Sequence, residues 1–192
     1  MKLVCGVGFN DRKYPARIGK DKTLEYSHWQ KMLMRCYKSN KTTNPSYMKC
    51  TVSDNFKNYS YFYEWCQLQY GFNNPGWQLD KDILIYGNKM YGEDTCIFIP
   101  NELNALFTGY GCEVYDLPIG VTYHKDTGKF QVVVRINGKN KYIGLFVNKD
   151  DAVNAYMREK TIVVNHLCNK YKGELSEDIL NALMGRVEKL NA

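Results

Sequence analysis

The chain has 192 residues, 44% hydrophobic and 24% charged, a composition of folded globular proteins rather than disordered or membrane-embedded ones. The net charge is +6, no apolar run reaches the length of a membrane-spanning helix, and the first fifteen residues lack the apolar centre of a secretion signal. Seven cysteines at 5, 36, 50, 66, 96, 112 and 168 form no Cys-x-x-Cys pair, and with three histidines they suggest free thiols in a reducing cytoplasm rather than a zinc site.

Residues 1–22 are basic, are punctuated by Gly, Pro and Asp, and read as an extended arm. Tyr26, Trp29, Leu33 and Tyr37 recur at helical spacing and predict a helix over 24–37. A polar loop follows over 39–45. Phe56, Tyr59, Phe62, Trp65 and Cys66 predict a second amphipathic helix over 55–70, its aromatic stripe packing into a core. Base stacking by those rings requires that they be exposed.

After a turn at 72–76 comes WQLDKDILIYGNKMYGEDTCIFIPNELNALF, residues 77–107. A strand is expected over 79–85, a second over 96–99, and a helix from Pro100, which sits near its first turn. Residues 108–119 hold two glycines, an aspartate and a proline and read as a linker.

The stretch over 120–166 is the most patterned. Phe130, Val132, Val134 and Ile136 alternate with Lys129, Gln131, Val133 and Arg135, the period of a half-buried strand. Asn137-Gly138 suits a two-residue hairpin turn, residues 141–146 form the return strand, and residues 120–124 form a first strand closed by the turn at 125–128. The period then changes. Asn148 is an N-cap, Asp150 and Asp151 favour the positive end of a helix, and Ala152, Tyr156, Val163 and Leu167 recur at helical spacing. Gly173 breaks the chain, and Ser176 caps a last helix bearing Ile179, Leu180, Leu183, Val187 and Leu190. The fold expected is α+β, with a helical region and hairpin–helix over 1–110, a linker over 111–118, a sheet-and-helix domain over 119–171 and a C-terminal helix over 172–192.

One helix covers one face of three strands. The other face stays open and carries Thr122, His124, Lys129, Gln131, Arg135, Asn140 and Tyr142. Residues 118–172 hold ten Lys and Arg against four Asp and Glu, while the remainder holds sixteen of each. The whole formal surplus therefore sits in this module, the electrostatic footprint of a polyanion binder. The competing account is an ordinary solvated sheet face with mixed charge.

Gly120-Val121, Gly128-Lys129-Phe130, Val134-Arg135, Tyr142-Ile143-Gly144-Leu145-Phe146 and the helix start at Asp151-Ala152 to Ala155-Tyr156 resemble the DNA-binding domain of plant ethylene-response-factor (ERF) regulators. Relatives of that domain occur in phage and bacterial homing endonucleases. The resemblance implies a sheet that enters the major groove, with Thr122, His124, Arg135, Asn140 and Tyr142 facing bases or nearby phosphates. Lys125, Lys129, Lys139 and Lys141 are then expected on the phosphate backbone. Of the arginines the plant domains place on this face, the chain keeps Arg135.

The element order in 77–107 is similar to the HNH (His-Me finger) nuclease motif and to N-terminal regions of phage HNH-type proteins. The resemblance puts Asp80 at the metal-binding acid, Lys81 at the general-base histidine, Thr95 at the middle Asn and Asn104, nine residues on, at the helix ligand. Strand cleavage needs a base that takes a proton from water and a divalent ion that stabilises the leaving group. Asp80 and Asn104 supply oxygen donors for Mg²⁺ or another divalent metal. A lysine in the base position stays protonated near neutrality unless burial or a neighbouring cation intervenes. Asp82, which strand alternation directs to the Asp80 side, is an alternative base or second ligand. Three readings stay open for this segment: an active divergent nuclease, a nuclease-derived scaffold without activity, and an unrelated hairpin with solvated carboxylates.

The sequence leads to an expectation of a cytoplasmic, sequence-selective binder of double-stranded DNA, of homing-endonuclease descent. The alternatives are an active metal-dependent endonuclease and a phage protein-interaction module that inhibits a host enzyme.

Overall fold

The computed structural model describes residues 2–38, 47, 49–107, 117–136 and 138–189. The polar loop at 39–45, residues 111–116 of the linker, Asn137 of the hairpin turn and Leu190 of the last helix lie outside the described residues. The architecture is α+β, and the chain divides into two compact units, Met1–Ile99 and Pro100–Ala192. The division falls ahead of the expected linker, so residues 100–107 belong with the second unit.

In the first unit a hairpin of β1 (Arg17–Ile18) and β2 (Asp21–Lys22) leads into α1 (Leu24–Tyr37), the helix expected from its spacing. The Thr23 hydroxyl accepts from the Tyr26 amide and satisfies one donor of the first turn. Trp29 and Leu33 are fully buried, and the Trp29 indole donates to the Phe56 carbonyl at 2.7 Å. After β3 (Thr51–Val52) the single helix expected over 55–70 proves to be two, α2 (Asp54–Lys57) and α3 (Tyr59–Gln67). The break is at Asn58, whose ψ of 122° is extended and whose side chain accepts from the Ser60 and Tyr61 amides.

The N-terminal arm uses the backbone groups freed there. Phe9 donates its N–H to the Lys57 carbonyl at 2.8 Å and accepts from the Tyr59 N–H at 2.9 Å. Tyr14 also stacks on Tyr63 with ring centroids 4.0 Å apart. The expected extended arm is thus docked along the helices. The aromatic stripe packs as expected, because Phe56, Tyr59, Phe62 and Cys66 are fully buried and Trp65 nearly so. Edge-to-face contacts join Phe56 to Phe62 at 5.1 Å and to Trp65 at 4.8 Å, a favoured aromatic geometry. The unit is completed by β4 (Trp77–Asp80), β5 (Met90–Tyr91) and β6 (Ile97–Pro100), with β3 pairing β5 in parallel and β4 pairing β6.

The second unit opens with α4 (Asn101–Leu106), with Pro100 at its cap position. Its sheet has the order β7 (Val121–His124), β8 (Lys129–Ile136), β9 (Lys139–Phe146), antiparallel throughout. One face packs on α5 (Lys149–Lys170), whose cap Asn148 accepts from the Asp150 N–H at 2.7 Å. Val121, Val132 and Val134 from the sheet and Ala152, Ala155, Tyr156, Val163 and Leu167 from the helix are all buried. Each fully buried aliphatic side chain contributes about 1.5–3 kcal/mol. The last helix, α6 (Glu177–Lys189), packs back on α5 with Leu183 and Val187 buried. It is therefore part of this unit.

Gly120 holds the sheet to the helix at a close approach. Its φ is +97°, and its carbonyl accepts from the Val133 N–H at 2.8 Å. A Cβ there would overlap the Val133 carbonyl oxygen and lie 2.6 Å from the Tyr156 ring. Gly173 has a φ of +101° but open space around it. Gly120→Ala is therefore expected to cost roughly 2–4 kcal/mol, from backbone strain plus overpacking. Gly173→Ala should cost about 1–3 kcal/mol, from strain alone. Urea denaturation followed by circular dichroism measures both, and equal losses would contradict the close-approach argument.

Candidate functional site

The register of the sheet lays out its open face. His124 pairs with Lys129 and Thr122 with Gln131 across β7 and β8. Gln131 pairs with Leu145, Val133 with Tyr142 and Arg135 with Asn140 across β8 and β9. Every one of the expected base-facing residues is exposed: Thr122, His124, Arg135, Asn140 and Tyr142, the last at 56%. His124 is tied to Gln131 across the strands, Nε2 to Oε1 at 2.6 Å, which orients both side chains. Tyr123 and Phe130 contact each other with centroids 4.9 Å apart, on the pleat opposite this row.

A β-bulge separates the two halves of the face. Val132 pairs with Gly144 but Val133 pairs with Tyr142, so Ile143 has no partner on β8. The extra residue reverses the alternation, setting Leu145 rather than Gly144 beside Gln131 and putting Phe146 opposite Phe130 on the helix side. Sequence reasoning did not place Leu145 on the open face. The signal available was Gly144 within a strand, a frequent mark of a bulge.

The expected phosphate-contacting cations differ in their engagements. Lys125 lies in the β7–β8 turn and Lys129 on the open face, both exposed. Lys139 is exposed at the start of β9, opposite Ile136. Lys141 lies opposite Val134 on the helix-side pleat, and its ammonium is bound 2.9 Å from Glu159 of α5. Its charge is partly matched within the protein.

The residues assigned by the nuclease resemblance lie in two places. Asp80, Lys81, Asp82 and Thr95 belong to the first unit and Asn104, on α4, to the second. The expected strand over 79–85 stops at Asp80 because its carboxylate Oδ1 accepts from the Asp82 N–H at 2.8 Å and the Ile83 N–H at 2.7 Å. That local bond turns the chain out of the strand. The turn corrects the expected direction of Asp82, whose Oδ2 lies 3.2 Å from the Lys81 ammonium rather than on the far side of a pleat. Lys81 also donates to the Asn88 carbonyl at 3.1 Å and sits 5.7 Å from the centre of the Tyr91 ring. The Asn88 side chain closes the loop on the Lys81 and Met90 carbonyls. The Thr95 hydroxyl donates to the Met90 and Gly92 carbonyls, a turn-closing role.

Burial pushes the Asp80 carboxyl up to about 6, aided by the neighbouring Asp82 charge and opposed by the two backbone N–H groups and Lys81. Arg35 of α1, a basic residue of the predicted helix with no site role expected from the sequence, stands in the same field. Burial works against its charge, and Tyr91, Tyr47 and Asp80 outweigh it, leaving its pKa raised. The donors here do not fit a hard divalent ion well, since one Asp80 oxygen serves two amides and Asp82 holds an ammonium. Such an ion takes six or more free oxygen donors and waters. Among the described residues no three His, Cys, Asp or Glu side chains gather as metal ligands. His28 is edge-on to Phe98 at 5.1 Å, and burial, then Lys31 and Arg35, pushes its pKa down to about 4, as for a packed neutral ring.

The chain is thus an α+β protein whose second unit carries an open-faced, cation-bearing three-stranded sheet. No protein-family model, curated protein or solved structure matches it. None of the described helices is long and apolar enough to cross a membrane, and Cys5, Cys36, Cys66, Cys96 and Cys168 are free thiols.

Because the folded Asp80 holds its proton more tightly than an unfolded aspartate, folding takes up a proton between about pH 4 and pH 6. Stability from this group is present at the acid end and is lost as pH rises through about 6. Asp80→Asn keeps an Oδ1 acceptor for both amides and removes the charge. The variant should lose on the order of 2–3 kcal/mol of this pH dependence, read as a flatter curve of melting temperature from pH 4.5 to 7.5. A variant as pH-sensitive as the parent protein would contradict the assignment.

Proposed function

We propose that the protein binds double-stranded DNA through the open face of the β7–β8–β9 sheet, laid in the major groove. The observation that carries this reading is the grid of exposed polar side chains on that face, in the module that holds the whole net positive charge of the chain. Three strands about 4.8 Å apart span roughly 10 Å, and the major groove is about 12 Å wide. From Lys129 to Arg135 the face runs roughly 20 Å along β8, the rise of about six base pairs.

The chemistry differs along that length. Arg135 and Asn140 are direct register partners at one end. A guanidinium can donate twice to guanine and a carboxamide can both donate to and accept from adenine, so this end suits sequence reading. At the other end His124, Lys125 and Lys129 gather around the β7–β8 turn, where cations suit phosphate contact. Thr122, Gln131 and Tyr142 lie between, with Val133 and Leu145 available for a thymine methyl group. A role in strand cleavage has weaker support, because Asp80 and Asp82 are engaged with protein partners.

Arg135→Ala should weaken binding to a selected duplex by about 1–3 kcal/mol and relax preference at one position. Competition between selected and random duplexes reads this out, and equal loss on both would mean that Arg135 meets only phosphate. Lys129→Ala should weaken binding to all duplexes and flatten the slope of log K against log salt by about one. Lys141→Ala, already paired with Glu159, should change that slope less. A larger change for Lys141 than for Lys129 would overturn the orientation proposed.

A further inference from the structure

Beyond the sheet face, the second unit contains a cavity of about 680 Å³ at the β8–β9 hairpin end of the sheet. Its walls come from α4 (Asn101, Glu102), from Gly120, from the hairpin strands (Arg135, Asn140) and from α5 (Tyr156, Lys160). Lys160 is 5% exposed, whereas Arg135 and Asn140 are exposed, so the cavity runs from a buried ammonium to the rim of the open face.

The charges are unbalanced. The Lys160 ammonium donates to the Leu106 carbonyl and lies 5.5 Å and 5.9 Å from the ring centres of Phe107 and Tyr156. Among the described residues it has no carboxylate partner. A buried cation without a counter-ion is costly, and burial pushes this one down to about 8. Glu102 is the one carboxylate among the described lining residues, and it is bound by the Lys170 ammonium and the Tyr171 hydroxyl. Burial pushes Glu102 up, but those hydrogen bonds more than reverse it, so its negative charge is already matched. The remaining polar side chains of the described lining are the Asn101 and Asn140 amides, the Tyr156 hydroxyl and the Arg135 guanidinium, all able to donate.

We infer that this cavity is a phosphate-binding subsite, with Lys160 as its buried cation and Arg135 and Asn140 as the donors at its rim. An ammonium in a low-dielectric wall with spare donors, a guanidinium and two amides form a set that favours a compact, oxygen-rich anion. The phosphate can belong to the DNA backbone, which rests on the sheet-face reading, or to a free phosphate or nucleotide, which does not. Arg135 would in the first case join the two functions, touching base edges on one side and a phosphate on the other.

The test is calorimetric titration of the full chain with inorganic phosphate, with deoxyadenosine 5′-monophosphate and with a short duplex. Lys160→Met removes the cation and keeps an unbranched apolar stem. Ala105→Glu, at an exposed cavity-lining position on α4, leaves Lys160 in place and supplies an internal carboxylate. Circular dichroism confirms folding, so Ala105→Glu still decides if Lys160→Met does not fold. Phosphate binding by the parent protein, weakened at least tenfold in the folded variants, is the expected result. No phosphate binding by the parent protein, or equal binding by the folded variants, overturns the subsite. Loss of duplex affinity in the same variants assigns the phosphate to DNA, and unchanged duplex affinity with lost mononucleotide binding assigns it to a free ligand. Duplex binding without phosphate binding sinks the subsite and leaves the sheet-face reading standing. Phosphate binding without duplex binding does the reverse.

Discussion

The second unit depends on the burial of one valine-lined sheet face against one helix. Val121, Val132 and Val134 meet the small and aromatic residues of α5, Ala152, Ala155 and Tyr156, and exclude water between them. Alanines let the helix approach closely, and Gly120 lets the backbone pass beneath Tyr156 without a side chain. Because pleated strands alternate, this burial also determines the other face: whatever falls between the valines must point away from the helix. The open row of Thr122, Gln131, Val133 and Arg135 is thus a consequence of the core.

Much of this was legible in the residues, and the reasons are local. The helix over 24–37 was readable because four large residues share one stripe. The sheet was readable because alternation persists along β8 and glycine turns bound it, and α5 because the period changes just after an asparagine cap. The features that escaped were those in which a polar side chain competes with the regular backbone. Asn58 splits one apolar stripe into α2 and α3, since its side chain bonds the next amides while the arm residue Phe9 takes the freed backbone. That second condition joins positions far apart in sequence. The bulge at Ile143 likewise depends on a pairing choice that an isolated strand does not reveal.

The first unit shows how side chains suited to one chemistry can be held in another by their neighbours. Three short strands, β4, β5 and β6, run over 77–100, and the helix that follows, α4, belongs to the second unit. The carboxylate of Asp80 closes a turn on the Asp82 and Ile83 amides, and Lys81 is folded back on Asp82, Asn88 and Tyr91. Residue types alone identified donors without showing what they would already be holding. Arg35 was invisible as a participant because it reaches this cluster from α1, more than forty residues earlier in the chain. The reverse holds for the sheet face, where the side chains expected to meet DNA are exposed, His124 bonded across the strands to Gln131 and Lys141 to Glu159.

The measurement that bears most directly on the account is amide NMR of the ¹⁵N-labelled protein titrated with a short duplex at low salt. The account predicts that the signals of Thr122, Gln131, Val133, Arg135, Asn140 and Tyr142 move together, while those of the solvent side of α5, such as Asn154, Ile162 and Asn165, stay in place. Shifts confined to α5 or to the first unit, with the sheet signals unmoved, would contradict it.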